Sequence, residues 1–442
     1  MKASLNPKST CRTVDNPTKH LSSPPAGTWT AARSPHILAT GIDTTIDVQI
    51  TIEPCAVVQP DADHGITIGP NGALIAAGRS GEPVTIEATK KAKDDGKAWS
   101  SIRNDGGTLS LTHVVMRDGG AFQGHVQYSG ALRMSGTSST GAVGTLHVDH
   151  VWIAYSRSQG VYIPDDLGFD ASSQNLYIYG STDYPIHVNA RVIGSIPTGE
   201  YGENLKAEIA ISGSRGPVVD AQTMHNRGVP YHVGSGADGG RMDVDSSNLS
   251  PNAPTAVLTI EPGVTVRFPP GGELYVRGST AVTSGTPRAR GALIASSPDP
   301  TRPIVFTSER DPARAGFPSP AAGDWLGLTI GDPVDSSTVM QNVRVRFAGG
   351  ARNGGSNSCP YPGTNGINSA AIRIHGLPSG QSITGTEIAS SASHGIDRGW
   401  RANSQPDFLG NNNKFPGVLP PYCKQTWPSP SMGSCPTPVP CP

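Results

Sequence analysis

The chain writes one phrase twice. "TIEPCAVV" runs from Thr51 to Val58, and "TIEPGVTV" runs from Thr259 to Val266. A matching series follows each. "GALIAAGRSGEPVTIEATKK" from Gly72 parallels "GALIASSPDPTRPIVFTSER" from Gly291, and "AWSSI" from Ala98 parallels "DWLGLTI" from Asp324. "HVVMRDGG" from His113 then parallels "NVRVRFAGG" from Asn342, both ending in paired glycines. Correspondences kept in one order, with growing gaps, mark a duplicated module with insertions. Self-similarity of this kind constrains the fold more than any single motif does.

Inside each module the unit is shorter still. "HVWIAYSRSQGVYI" from His150, "NLYIYGSTDYPIHV" from Asn175 and "GTEIASSASHGI" from Gly385 each read as a short alternating strand, a turn and a second strand. The spacing from His150 to Asn175 suits one coil of three short strands and three turns. Helical signals are nearly absent, since "ARSPHILATG" and "TKKAKDDGKAW" are too short or too polar. Strands without crossover helices must still pair their backbone groups. Stacking coil on coil does so, each strand pairing in parallel with its equivalent about 4.8 Å away. Val151, Ile153, Leu176 and Ile178 then point inward, and Trp152, Tyr177 and Tyr179 outward.

The longer pattern "LTIEPGVTVRF … GGELYVRGS … RGALIA … RPIVFTSERD … DWLGLTI … NVRVRFAGG" resembles bacterial exported right-handed parallel β-helix proteins of the pectate-lyase-like superfold. The likeness covers most of residues 36–400. It implies an all-β, right-handed parallel β-helix solenoid built from a duplicated module with terminal caps. On that reading residues 1–35 are an N-terminal arm or cap, 36–220 the first copy, 221–403 the second, and 404–442 a Cys/Pro-rich C-terminal cap. The first copy departs from the pattern at Cys55, at Gln59 and after Trp99. That half is expected to be less regular, or capped by a Cys55 disulfide. The superfold carries lyases, hydrolases, adhesins and passive surface proteins alike, so it specifies no activity.

Composition narrows the partners. Charged residues are 16% of the 442 and net charge is −1, with no long basic or acidic block, so nucleic acid is not an expected partner. No apolar run is long enough for a membrane span. The start, "MKASLNPKSTCRTVDNPTKH", has no apolar segment of signal-peptide type. The cysteines point the other way, toward disulfides and an oxidising compartment. Cys423, Cys435 and Cys441 share a Pro-rich tail, so one of them must be free or reach elsewhere, for instance to Cys359. That would leave Cys11 with Cys55, one of the alternatives six cysteines allow. The expectation is an extracellular or cell-surface monomer whose partner is a polysaccharide or another envelope component.

Two constellations compete as the site. Outward Trp152 and Tyr177, on neighbouring coils, could stack into a platform for sugar rings, with Tyr179 beside them and Tyr162 and Tyr184 near in sequence. The bland alternative is that a long loop covers these aromatics. The second constellation is acidic: Asp165, Asp166 and Asp170, flanked by Asp149 and Asp183, with Arg157 as a basic partner. By resemblance, a lyase would use such carboxylates to hold Ca²⁺ and a base to remove a proton from a uronate. A hydrolase would use them as an acid–base pair. Asp is also the ordinary residue of turns. "RMDVDSSNLS" (Asp243, Asp245, Asn248) lacks the glycine and glutamate of a calcium loop and reads as a turn. His113 and His150 fill the slot of Asn175 and Asn342, which points to turn capping, not metal. No cofactor is expected beyond Ca²⁺ in the lyase case. The resulting expectation is a carbohydrate-binding, structural or adhesive solenoid, with a lyase or hydrolase acting on an acidic polysaccharide as the alternative.

Overall fold

The computed structural model describes residues 7–20, 22–38, 43–121, 129–135, 144–213, 216–234, 240–247, 249, 253–278, 289–313, 318–331, 333–350, 370–376, 382–392, 394–398, 408 and 410–418, with the backbone of 423–425 and 439–440. Two compact units emerge: Met1–Ala210 with Arg227–Val229, and Ile211–Asn226 with Pro230–Pro442. Each is a right-handed parallel β-helix.

In the first unit the early coils lay one strand on each of three faces. Thr44–Ile46, Gln49–Ile52 and Val57–Pro60 form one coil, and Ile66–Ile68, Ala73–Ala77 and Val84–Glu87 the next. The ten-residue strand Thr108–Arg117 spans two faces at once, its first half pairing with Ala73–Ala77 and its second with Val84–Glu87. Thr145–Ala154 repeats that arrangement one rung on. The second unit stacks in the same manner: Ala256–Ile260, Gly291–Ser296 and Val339–Gln341 share one face, and Thr265–Phe268, Ile304–Ser308 and Val343–Arg346 another.

The expected interior columns exist. Val84, Val114, Val151 and Leu176 lie in register, as do Ile86, Met116, Ile153 and Ile178. All eight are buried. Full burial of such a side chain is worth about 1.5–3 kcal/mol, so these columns dominate the cohesion of the stack.

What bends the long strands is a pair of left-handed corners. His113 (φ 48°) and Asp118 (φ 57°) flank Val114–Arg117, and His150 (φ 53°) and Tyr155 (φ 57°) flank Val151–Ala154. Asn175 and Gly180 flank Leu176–Tyr179, and in the second unit Asn342 and Phe347 flank Val343–Arg346. The polar slot of the sequence is therefore a backbone corner. Asn and His recur there because short polar side chains tolerate this region better than apolar ones. The His113 and His150 rings stack at 4.6 Å.

The first copy is no less regular than the second at its key contact. Trp99 and Trp325 are fully buried, and each donates its indole N–H to a main-chain carbonyl, of Arg117 at 2.6 Å and of Arg346 at 2.7 Å. Gly119 is required beside Trp99, because a Cβ there would stand 2.6 Å from the indole.

The described part of 1–35 joins the stack. Thr18–His20 pairs in parallel with His36–Leu38, and Gly27–Trp29 with Gln49–Ile52. A disulfide joins Cys11 to Cys55. Cys55 sits at φ 63°, where the second copy has Gly263 at φ 84°. Helix is confined to short pieces, including Lys90–Asp94 within the segment read as too polar, where the Thr89 hydroxyl accepts from the Ala92 N–H and Ala92 is buried. Cys359, Cys435, Cys441 and the side chain of Cys423 lie outside the described residues.

Candidate functional site

The outer surface of Val151–Ala154 and Leu176–Tyr179 carries the aromatic residues. Alternation puts Trp152 and Tyr177 on the side opposite the core, and the register makes Val115, Trp152, Tyr177 and Glu200 successive rungs of one outer column. Trp152 and Tyr177 stack with centroids 5.1 Å apart and planes 15° from parallel. Ala154 and Tyr179 form the adjacent column, and Tyr179 meets Tyr155 edge-on at 5.6 Å.

This surface is covered in part and open in part. Trp152 is 9% exposed and Tyr179 is buried, while Tyr177 is half-buried and Tyr155 exposed. Gly199–Glu203 and Arg227–Val229 wall off a cavity of about 280 Å³ against Trp152, Tyr177, Ile178 and Tyr179. Tyr201 is fixed in that wall by donating its hydroxyl to the Pro197 carbonyl at 2.7 Å. Arg227 is fixed by two N–H groups on the Ile196 carbonyl, at 3.0 and 2.5 Å. The Trp152 indole N–H is shielded from solvent and has no acceptor among the described residues. A buried donor left unpaired costs about 1–3 kcal/mol. Burial, then the charges of Glu200 and Asp149, push the Tyr177 hydroxyl above its ordinary pKa. A site so built offers an aromatic surface with acidic groups at its edge.

The acidic candidates are not gathered into one centre. Asp149 accepts from Asn175 at 3.1 Å and from His150 at 2.8 Å. Burial works to raise its pKa, but the Asn175 amide and His150 outweigh that and hold it below the usual carboxylate range. Asp166 pairs with Arg191, Asp183 with Lys206, and Asp170 accepts from Ser172 beside His147. Asp165 acts electrostatically on Arg133. Arg157 donates to the Gly96 carbonyl at 3.4 Å. Each is held by its own neighbours. Among the described residues no group of three or more His, Cys, Asp or Glu is placed to hold a metal.

Of the other residues singled out in sequence, Tyr162 belongs to another face, near Arg133 and His187, and Tyr184 lies under the Lys206 ammonium. Asp245 pairs with Arg277 and Asp243 with Arg241. Sequence reasoning missed Glu200, Tyr201 and Arg227. Gly199–Glu200 is a strand of two residues, too short to show a period, and Arg227 arrives from a separate segment.

Compared with known proteins, the chain matches no family model, no curated protein and no solved structure. What its own geometry defines is a class: a parallel β-helix with an aromatic-walled cavity on the outside of one face. Among the described residues no helix is long and apolar enough to cross a membrane.

Proposed function

We propose that this protein is an extracellular or cell-surface β-solenoid that binds carbohydrate through the Trp152–Tyr177 cavity and acts as a monomer. The single observation that carries the reading is a stacked indole–phenol pair bordering a cavity. The C–H face of a pyranose packs on the open side of such a ring, here that of Tyr177, which is half-buried. A small number of placed polar groups among apolar walls is the usual makeup of a ligand site. The Cys11–Cys55 bond supports an oxidising compartment.

Affinity electrophoresis through gels containing a panel of polysaccharides tests this. The native chain should be retarded by at least one glycan, and Tyr177→Ala should migrate freely while keeping the native circular dichroism spectrum. Equal retardation of native and variant chains would remove the site from consideration.

A further inference from the structure

We infer that the ligand of this cavity is an amino sugar, a ring carrying a protonated amine, and that uronate-bearing chains are turned away. The inference rests on the carbohydrate reading of the same site. It starts from the register. Glu200 stands on the rung directly after Tyr177, and Tyr177 on the rung after Trp152, so a ring packed on the Tyr177 face that Trp152 leaves open lies toward a carboxylate about one strand spacing away. Glu200 is exposed and lines the cavity, and Glu203 lines it too. The charge of Asp149 also reaches Tyr177.

The cavity lining holds two carboxylates, Glu200 and Glu203, against one guanidinium, Arg227. Arg227 directs two of its N–H groups onto the Ile196 carbonyl. Lys206 lies 2.8 Å from Asp183 and over the Tyr184 ring. Arg117 bears on Tyr179, in the adjacent column. A cation entering between Glu200 and the face of Tyr177 gains both an ion pair and a cation–π contact. A carboxylate in the same place would face Glu200 in a lining whose carboxylates outnumber its one guanidinium. Size adds a second requirement. At about 280 Å³ the cavity falls just below the range of ligand sites, about 300 to 1,000 Å³, and suits one or two rings, not a long run of chain.

The experiment is isothermal titration calorimetry at pH 6 and low salt, with three oligosaccharides of equal length: glucosamine, N-acetylglucosamine and galacturonic acid. The glucosamine oligomer should bind about tenfold tighter than its acetylated twin, the size expected of one partly desolvated cation–π contact with an ion pair. The galacturonate oligomer should give no heat of binding. Glu200→Gln should erase the preference for the amine, lowering the glucosamine oligomer's affinity by about tenfold. Equal binding of the first two oligomers, or tighter binding of the uronate, overturns the charge selectivity and leaves the carbohydrate reading standing. Silence with all three, together with free migration in every gel above, overturns both.

Discussion

Trp99 and Trp325 make the same hydrogen bond in the two units, each giving its indole N–H to the carbonyl of the arginine that ends the next coil's strand, Arg117 or Arg346. Both side chains are fully buried. Trp99→Phe and Trp325→Phe keep most of the apolar volume but leave that carbonyl unpaired, at a cost of about 1–3 kcal/mol. Urea unfolding should give similar losses for the two variants. A loss confined to one of them would show that the equivalence is only geometric.

The left-handed corners make a sharper prediction. At His113, φ is 48°. His113→Asn should be neutral, because Asn175 and Asn342 already hold that conformation. His113→Val places a β-branched side chain in the same region and should destabilise by about 1–2 kcal/mol. Thermal melts of the pair decide it, and a valine variant as stable as the asparagine one would contradict the corner argument.

Cys55 carries two burdens, a disulfide and a left-handed backbone. Replacing both Cys11 and Cys55 by serine should cost about 2–4 kcal/mol, the usual range for a bond closing a loop of this order. Cys11→Ser with Cys55→Gly should recover about 1 kcal/mol of that, since glycine is at home where Gly263 sits in the other copy. Equal midpoints for the two double variants would refute the strain component.

Acid should loosen the N-terminal rungs first. His20, His36 and Trp29 pack as a mutual cluster, ring centroids 4.4 to 5.5 Å apart, and His20 meets His36 at 2.9 Å. Burial first, then the neighbouring His36 and Arg33 charges, lower the His20 pKa from its usual 6.5 to about 4. Burial also lowers His36 and His64. The unfolded chain therefore takes up these protons at a higher pH than the folded one. Their contribution to stability is complete above pH 6.5 and declines as pH falls toward about 4. Amide exchange of Thr18–His20 and His36–Leu38 should accelerate between pH 6.5 and pH 4.5, after correction for intrinsic rates, and His20→Gln should flatten that dependence.

Much of the architecture could be read before any tertiary structure. The period-two alternation in "HVWIAY" and "NLYIYG" assigned Val151, Ile153, Leu176 and Ile178 to one interior and set Trp152 over Tyr177, and the register agrees residue by residue. This works because a strand's side chains alternate by covalent geometry, so pattern and facing are tied together. The histidine and asparagine slot was legible as a turn device, though not as a left-handed corner, because φ is not written in the residue name.

The sequence by itself determined that the chain stacks in parallel coils, which aromatic residues leave the core, and that one module was used twice. Only tertiary structure decided that those aromatic residues border a cavity, that Glu200 and Arg227 reach its edge from separate segments, and that the aspartates disperse to separate partners. The reason is physical. Alternation and turn preference are local and survive in the order of residues, whereas a cavity is the space left where segments distant in the chain meet. That space depends on how far each coil's loop reaches across its neighbour, a length and direction that no short-range pattern encodes.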